Sequence, residues 1–195
     1  MEMMVKKHQQ KFRKVKDDMS RWDQLQSQLL AQFRNASSII ERLQVLQEPK
    51  NYGVFTCISG IREEVLGKQM ESLETIFLSM KKTIEEFHSI VVSLEKILRD
   101  GRQLMKGGSI SPSTKQMQLR IGIRPSLFDC LEGLRIIFEM HYSEYLLKSS
   151  IVSALSLKSS ASDLGALNQL LIDQPNIPKE EVQFIFDIIF AEEIC

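Results

Sequence analysis

The chain has 195 residues, enough to bury roughly 70% of the surface its unfolded form exposes, so no disulfide or metal is required to hold it together. Lysine plus arginine and aspartate plus glutamate balance at 25 each, which gives no support to a general polyanion-binding role or to direct DNA binding. Cys57, Cys130 and Cys195 are odd in number and widely spaced, which reads as free thiols in a reducing compartment.

The opening stretch from Met1 to Lys16 is polar and charged, without the apolar run of a secretory signal. No window approaches the roughly 18 consecutive apolar residues of a membrane span, so a nuclear or cytosolic location is expected. From Phe12 onward apolar residues recur at alternating steps of three and four: Phe12, Val15, Met19, Trp22, Leu29, Phe33, Ala36, Ile40 and Leu43. Gln26 is the polar interruption in that frame. Such steps keep one stripe on one side of a helix, and sustained over several heptads they are the coiled-coil pattern. Glycine and proline are absent from Met1 to Glu48, and a helix of about 40 residues spans on the order of 60 Å, a length suited to an arm.

Pro49, Asn51 and Gly53 stop this helix, and a loop runs through Gly60. A second helix is predicted from Ile61 or Arg62, with Glu63 and Glu64 favourable at its positive end. Its stripe has no polar exception: Leu66, Met70, Leu73, Phe77, Met80, Ile84, Phe87, Val91, Leu94 and Leu98. Arg102 and Lys106 suit its negative end, and Gly107-Gly108 offer a left-handed stop. Two matched stripes joined by a short loop fold back most economically as an antiparallel pair. Centring the loop near Phe55 sets Ile40 beside Met70, Phe33 beside Phe77, Trp22 beside Phe87, Met19 beside Val91 and Phe12 beside Leu98.

Residues 107–125 have the Ser, Pro, Gly and basic composition of a linker or a loosely attached short helix. Arg102, Lys106, Lys115, Arg120 and Arg124 lie within 102–124 with no acid among them; solvated charge is the preferred reading over contact with an acidic protein or RNA. A third helix is predicted from about Ser126 to Leu157, carrying Leu127, Leu131, Leu134, Phe138, Tyr142, Tyr145, Ile151 and Leu155. Ile136, Ile137, Leu146, Leu147 and Val152 occupy its other faces, so it must be covered from more than one side. Ser162 or Asp163 is predicted to cap a short helix with Leu164, Leu167, Leu170 and Leu171, ended by Pro175. Pro178 is predicted as the first residue of the last helix, followed by Glu180 and Glu181 and a dense apolar run from Val182 to Phe190. Phe184, Ile188 and Phe190 flank the Val182-Ile185-Phe186-Ile189 stripe and are the expected partner-binding residues there.

The expected fold class is all-α: a long antiparallel helical hairpin (a coiled coil) over 1–106, a basic linker over 107–125 and a smaller C-terminal helical module over 126–195. No chemistry is expected on it. His8, His88 and His141 are far apart and lack HExxH or CxxC contexts, so no metal site is expected. There is no GxxxxGK[ST], GxGxxG or GxSxG, so no catalytic residue and no cofactor are expected either. Acidic pairs such as Glu85-Glu86 fall on solvated helix faces, where nothing raises a carboxyl pKa. Cys130 reads as a buried thiol.

The blocks WDQLQSQLLAQFRNASSIIERLQ and QPNIPKEEVQFIFDIIFAEEI resemble an uncharacterised family of plant proteins along the whole chain. The run from Glu139 to Lys148, with Leu155, Asp163-Leu164 and Gln174-Pro175, is similar to the C-terminal half of the cyclin-dependent-kinase-interacting protein family (CINP), and Trp22 with Ile39-Ile40 to its front half. The His141-Tyr142, Tyr145-Leu146 and Lys148 pattern also resembles the AIRIM ribosome maturation factors. This resemblance implies a non-catalytic adaptor of a complex containing AAA+ ATPases, in maturation of the large ribosomal subunit, with those ATPases and a related helical subunit as partners. Tyr145 and Lys148 join the expected partner-binding residues on that ground. The alternative is a structural coiled-coil subunit of another assembly, such as a tether or a chromosome-associated complex.

Overall fold

The computed structural model of the chain describes residues 2–48, 50–53, 60–106, 113–120 and 122–194. Among them are α1 (Glu2–Gln47), α2 (Ile61–Lys106), α3 (Thr114–Met117), α4 (Leu127–Ala154), α5 (Ala161–Asp173), α6 (Lys179–Ile189) and α7 (Ala191–Ile194), and no strand. The two longest helices pack against each other, as the paired stripes require. The loop centre at Phe55 and the glycine stop at Gly107-Gly108 lie outside the described residues.

Helix starts follow local chemistry. α2 begins directly after Gly60, whose φ of +80° suits glycine, and the Glu64 N–H donates to the Gly60 carbonyl at 3.0 Å. Three later helices open on one device, a serine and an acid or amide three residues on that satisfy each other's backbone N–H groups. Ser113 pairs with Gln116 at α3, Ser126 with Asp129 at α4 and Ser160 with Asp163 at α5. The cap of α5 is therefore Ser160 and not Ser162 or Asp163, because Asp163 acts as the returning carboxylate of that box. Pro178 likewise stands one position before α6 as its cap, with φ −67° and ψ 109°, and its carbonyl accepts from Val182 at 3.2 Å.

The described chain divides into two compact units, neither of them contiguous in sequence. The first comprises Met1–Asp23, Phe87–Leu146 and Gln174–Cys195. Here α1 and α2 run antiparallel, close to the expected register: the Trp22 and Phe87 rings meet at 4.5 Å, Ser93 donates to Asp18 at 2.8 Å, and Lys11 stands 3.9 Å from Asp100. Glycines let other helices approach. A Cβ on Gly101 would lie 3.2 Å from Leu134, and one on Gly133 would lie 2.9 Å from Ile185 and 3.1 Å from Phe12, closer than side-chain carbons pack. So α4 settles on α2 through Gly101, and α6 settles on α4 and α1 through Gly133, with Phe186 edge-on to Phe12 at 5.9 Å.

Part of the basic stretch is held by the same unit. Met117 packs on the core cluster of Val5, Met105 and Leu127. Arg120 pairs with Asp129 at 2.9 Å, and Arg124 pairs with Glu2 at 2.8 Å and with Glu192. Two of the cations expected to be merely solvated are thus engaged within the chain.

The last helix is also shorter than its apolar run suggests. Gln9 donates its side-chain amide to the Ile189 carbonyl at 3.0 Å, and the Glu193 N–H turns to Phe190 at 2.8 Å instead. A tertiary hydrogen bond thus displaces a helical one, and α6 gives way to the short α7 at Phe190.

The second unit comprises Gln24–Glu86 and Leu147–Asp173. Gln28 donates to Thr83 at 3.0 Å and Gln32 to Ser79 at 2.7 Å, again close to the expected register. Leu29, Phe33, Ala36, Ile40, Leu43, Leu73 and Met80 are buried, while Leu66, Met70, Phe77 and Ile84 of the second stripe are only half covered. Burial also extends to Leu25 and Ile39, off the first stripe, because Ile151, Leu155, Leu164 and Leu171 contribute to the same core. Gln44 ties the turn after α4 to α1 by donating to the Leu157 and Ser159 carbonyls at 3.2 and 3.0 Å.

Cys130, near the start of α4, is fully buried. Burial pushes its thiol from an ordinary 9.0 up to about 12, with the Asp129 charge adding to the shift. Native protein at pH 8 is expected to leave Cys130 unlabelled by iodoacetamide, with full labelling in denaturant, read by peptide mass spectrometry. The raised value also fixes a sign: the folded state resists losing this proton, so this contribution to stability declines as pH rises past 9 toward 12. Rapid native labelling would show that the α4 start opens.

Candidate functional site

The five residues expected to bind a partner sit in different surroundings. Lys148 is fully buried in the second unit, with its ammonium donating to Gln26 Oε1 at 2.6 Å. Tyr145 is half-buried in the first unit, its ring tilted against His88 at 5.3 Å. Phe190 is half-buried and stacked on Phe186 at 6.3 Å. Phe184 and Ile188, one helical turn apart on α6, are the pair that share a surface.

That surface is a groove of about 180 Å³ in the first unit, between the N-terminal half of α4 and α6. Its apolar walls are Phe128 and Ile136 on one side and Phe184 and Ile188 on the other, over a floor that includes the buried Ile185 and Ile189. Phe184 is 63% exposed and Phe128 46%, large for aromatic side chains that face each other across one depression. Gly133 lies in the groove, and its missing side chain allows α6 to sit close enough to form it. Phe128 and Ile136 escaped sequence reasoning because α4 is apolar on so many faces that periodicity could not say which ones remain uncovered.

Carboxylates edge this groove: Asp129, Glu132 and Glu181. Partial burial would raise the Asp129 carboxyl, but hydrogen bonds from Arg120 and Ser126 outweigh it and hold the group below its usual range. Arg135 lowers Glu132 in the same way. Both are ionised at neutral pH and each is paired with its arginine, so the groove is an apolar trough edged by ion pairs and by Glu181. The apolar face of an amphipathic helix is complementary to it.

Trp22, His141, Glu144, Lys148 and Gln174, among the residues that carry the family resemblance, are buried, while Tyr142 and Leu146 of the same pattern are exposed. In the first unit the Trp22 indole donates to Gln174 Oε1 at 2.9 Å, and its ring also meets His141 edge-on at 4.7 Å. His141 Nδ1–H donates to the Ile137 carbonyl at 2.7 Å, which leaves its ring oriented. Asn176 gives its backbone N–H and side-chain amide to Glu144 at 3.2 and 3.1 Å. Gln174 holds φ at 45°, a left-handed conformation that side chains adopt at some cost, while its own side chain is buried. In the second unit Gln26 donates to the Leu171 carbonyl at 2.5 Å and accepts from Lys148. These signature residues hold helices together. Among the described residues no group of three or more His, Cys, Asp or Glu is placed to hold a metal ion.

The fold and its buried polar clusters define an all-α protein built on two long antiparallel helices covered by shorter ones. Over residues 2–194 the sequence matches the CA109-like family, described as ribosome biogenesis protein C1orf109-like, and the chain belongs to that family. The resemblance to the AIRIM ribosome maturation factors agrees with this membership. No curated protein matches the chain. No described helix is long and apolar enough to cross a membrane.

Proposed function

We propose that this chain is a non-catalytic adaptor of a complex containing AAA+ ATPases, acting in the nucleus or cytoplasm on maturing large ribosomal subunits. The groove of Phe128, Ile136, Phe184 and Ile188 is the surface through which it holds a partner helix. Membership of a ribosome biogenesis family supports the process. The observation that carries the docking role is the exposure of Phe184 and Phe128 on two helices whose other faces are fixed by buried contacts. An aromatic pair presented on rigid elements loses little entropy on binding, and such anchors commonly dominate contact energy. The alternative, a structural coiled-coil subunit joined through the heptad stripes, is less supported. Most of the α1 stripe is already covered within the two units, so little of it is left for another coil.

Phe184→Asp tests the reading. An exposed side chain tolerates the charge, so helical content and melting temperature are expected to hold within about 0.5 kcal/mol of wild type. Affinity purification followed by mass spectrometry is expected to recover AAA+ ATPases and large-subunit factors with wild type and at least about ten-fold less with the variant, the effect of losing an anchor worth about 1.4 kcal/mol or more. Prey dominated by tethering or chromosome-associated subunits, or undiminished capture by a folded variant, would reject it.

A further inference from the structure

The zero net charge of the chain conceals a local concentration of cations. Between Glu2 and Asp17 the first helix carries Lys6, Lys7, Lys11, Arg13, Lys14 and Lys16 and no acid. Tertiary structure sorts them. Lys6 pairs with Glu2 at 3.3 Å and Arg13 with Glu193 at 2.8 Å. Lys7, Lys11 and Lys14, spaced by four and three residues on one face of α1, instead line a concave surface of about 400 Å³ with Lys96 of α2. Lys7, Lys14 and Lys96 are exposed and form no ion pair among the described residues. The acid in this groove is Asp100, 3.9 Å from Lys11 and 41% exposed. Four ammonium groups against one carboxylate leave it strongly positive.

We infer that this lysine groove in the first unit binds the phosphodiester backbone of RNA without reading its bases. The groove supplies point charges on flexible stems, suited to phosphates in any sequence, and has no aromatic side chain on which a base could stack. Lys7 and Lys14 are separated by about 10 Å along the helix, enough to meet more than one phosphate of an extended strand. An acidic protein segment is the competing occupant. The choice of RNA rests on the family's place in ribosome biogenesis, where the particle being matured is built on RNA. It goes beyond the docking reading, because the groove uses none of the residues around Phe184.

The test is fluorescence anisotropy of a labelled 20-nucleotide single-stranded RNA with the full chain, titrated between 50 and 200 mM salt, alongside Lys7→Gln/Lys14→Gln and a labelled polyglutamate of equal charge. Wild type is expected to bind with a dissociation constant on the order of 10⁻⁵ M at the lower salt and with log K falling against log salt at a slope of about −3, the value for four neutralised phosphates. The double variant is expected to keep its circular dichroism, bind at least about ten-fold more weakly and halve the slope. Absence of RNA binding at the lower salt, an unchanged slope in the variant, or polyglutamate binding as tight as RNA would overturn the assignment. The last outcome would give the groove to an acidic protein. Because the assay contains no protein partner, its result is independent of the Phe184 purification.

Discussion

Trp22→Ala is expected to lower the stability of the chain by about 5 kcal/mol, the largest effect of any single substitution considered. Trp22 is 2% exposed, packed on Phe87 and His141, and truncating so large a buried side chain costs about 3–5 kcal/mol in lost transfer energy and residual cavity. Its indole N–H is also the donor to the buried Gln174 Oε1, and an acceptor left unsatisfied adds about 1–3 kcal/mol. The total approaches the lower end of the 5–15 kcal/mol by which domains are stable, so the variant is expected to melt about 10–20 °C below wild type. Trp22→Phe separates the two causes. It keeps a ring in the pocket and loses the donor, with an expected cost of about 2 kcal/mol. Urea titrations followed by far-UV circular dichroism measure both, since Trp22 is the one tryptophan and its fluorescence is lost with it. Equal costs for the two variants would mean that cavity formation contributes nothing and the hydrogen bond everything; a cost below about 1 kcal/mol for Trp22→Ala would show the site is not packed as described.

Gln26→Leu is the second large effect, and it runs against hydrophobic intuition. Leucine would complete the α1 stripe, and on a two-helix coil the change should stabilise. In the folded chain Gln26 is 7% exposed, accepts from the buried Lys148 ammonium and donates to the Leu171 carbonyl near the end of α5. Losing one charge-assisted and one neutral hydrogen bond in a low-dielectric setting is expected to cost about 2–4 kcal/mol. Adding Lys148→Met to the same chain is expected to recover at least about half of that, because the buried charge and the acceptor it lost leave together. A double-mutant cycle from urea midpoints gives the coupling. Stabilisation by Gln26→Leu alone, or strict additivity in the cycle, would show that the polar contact plays no part in holding the fold.

Gln26 and Lys148 also mark where sequence legibility ends. The all-α class, the start of α2, the end of α5 before Pro175 and the pairing of Trp22 with Phe87 were all readable, because each depends on residues a few positions apart or on two stripes of one period. Gln26 was visible only as an exception, since its partners stand 122 and 145 residues away. Lys148, named from the family resemblance, and Phe184, named from the apolar excess of its helix, were both expected at a partner surface, yet one is fully buried and the other 63% exposed. Periodicity specifies that a helix has faces, but which face meets solvent depends on which other helices reach it. Here that was decided by the close approaches at Gly101 and Gly133 and by buried hydrogen bonds at Trp22 and Gln26, contacts between distant segments that only the folded chain brings together.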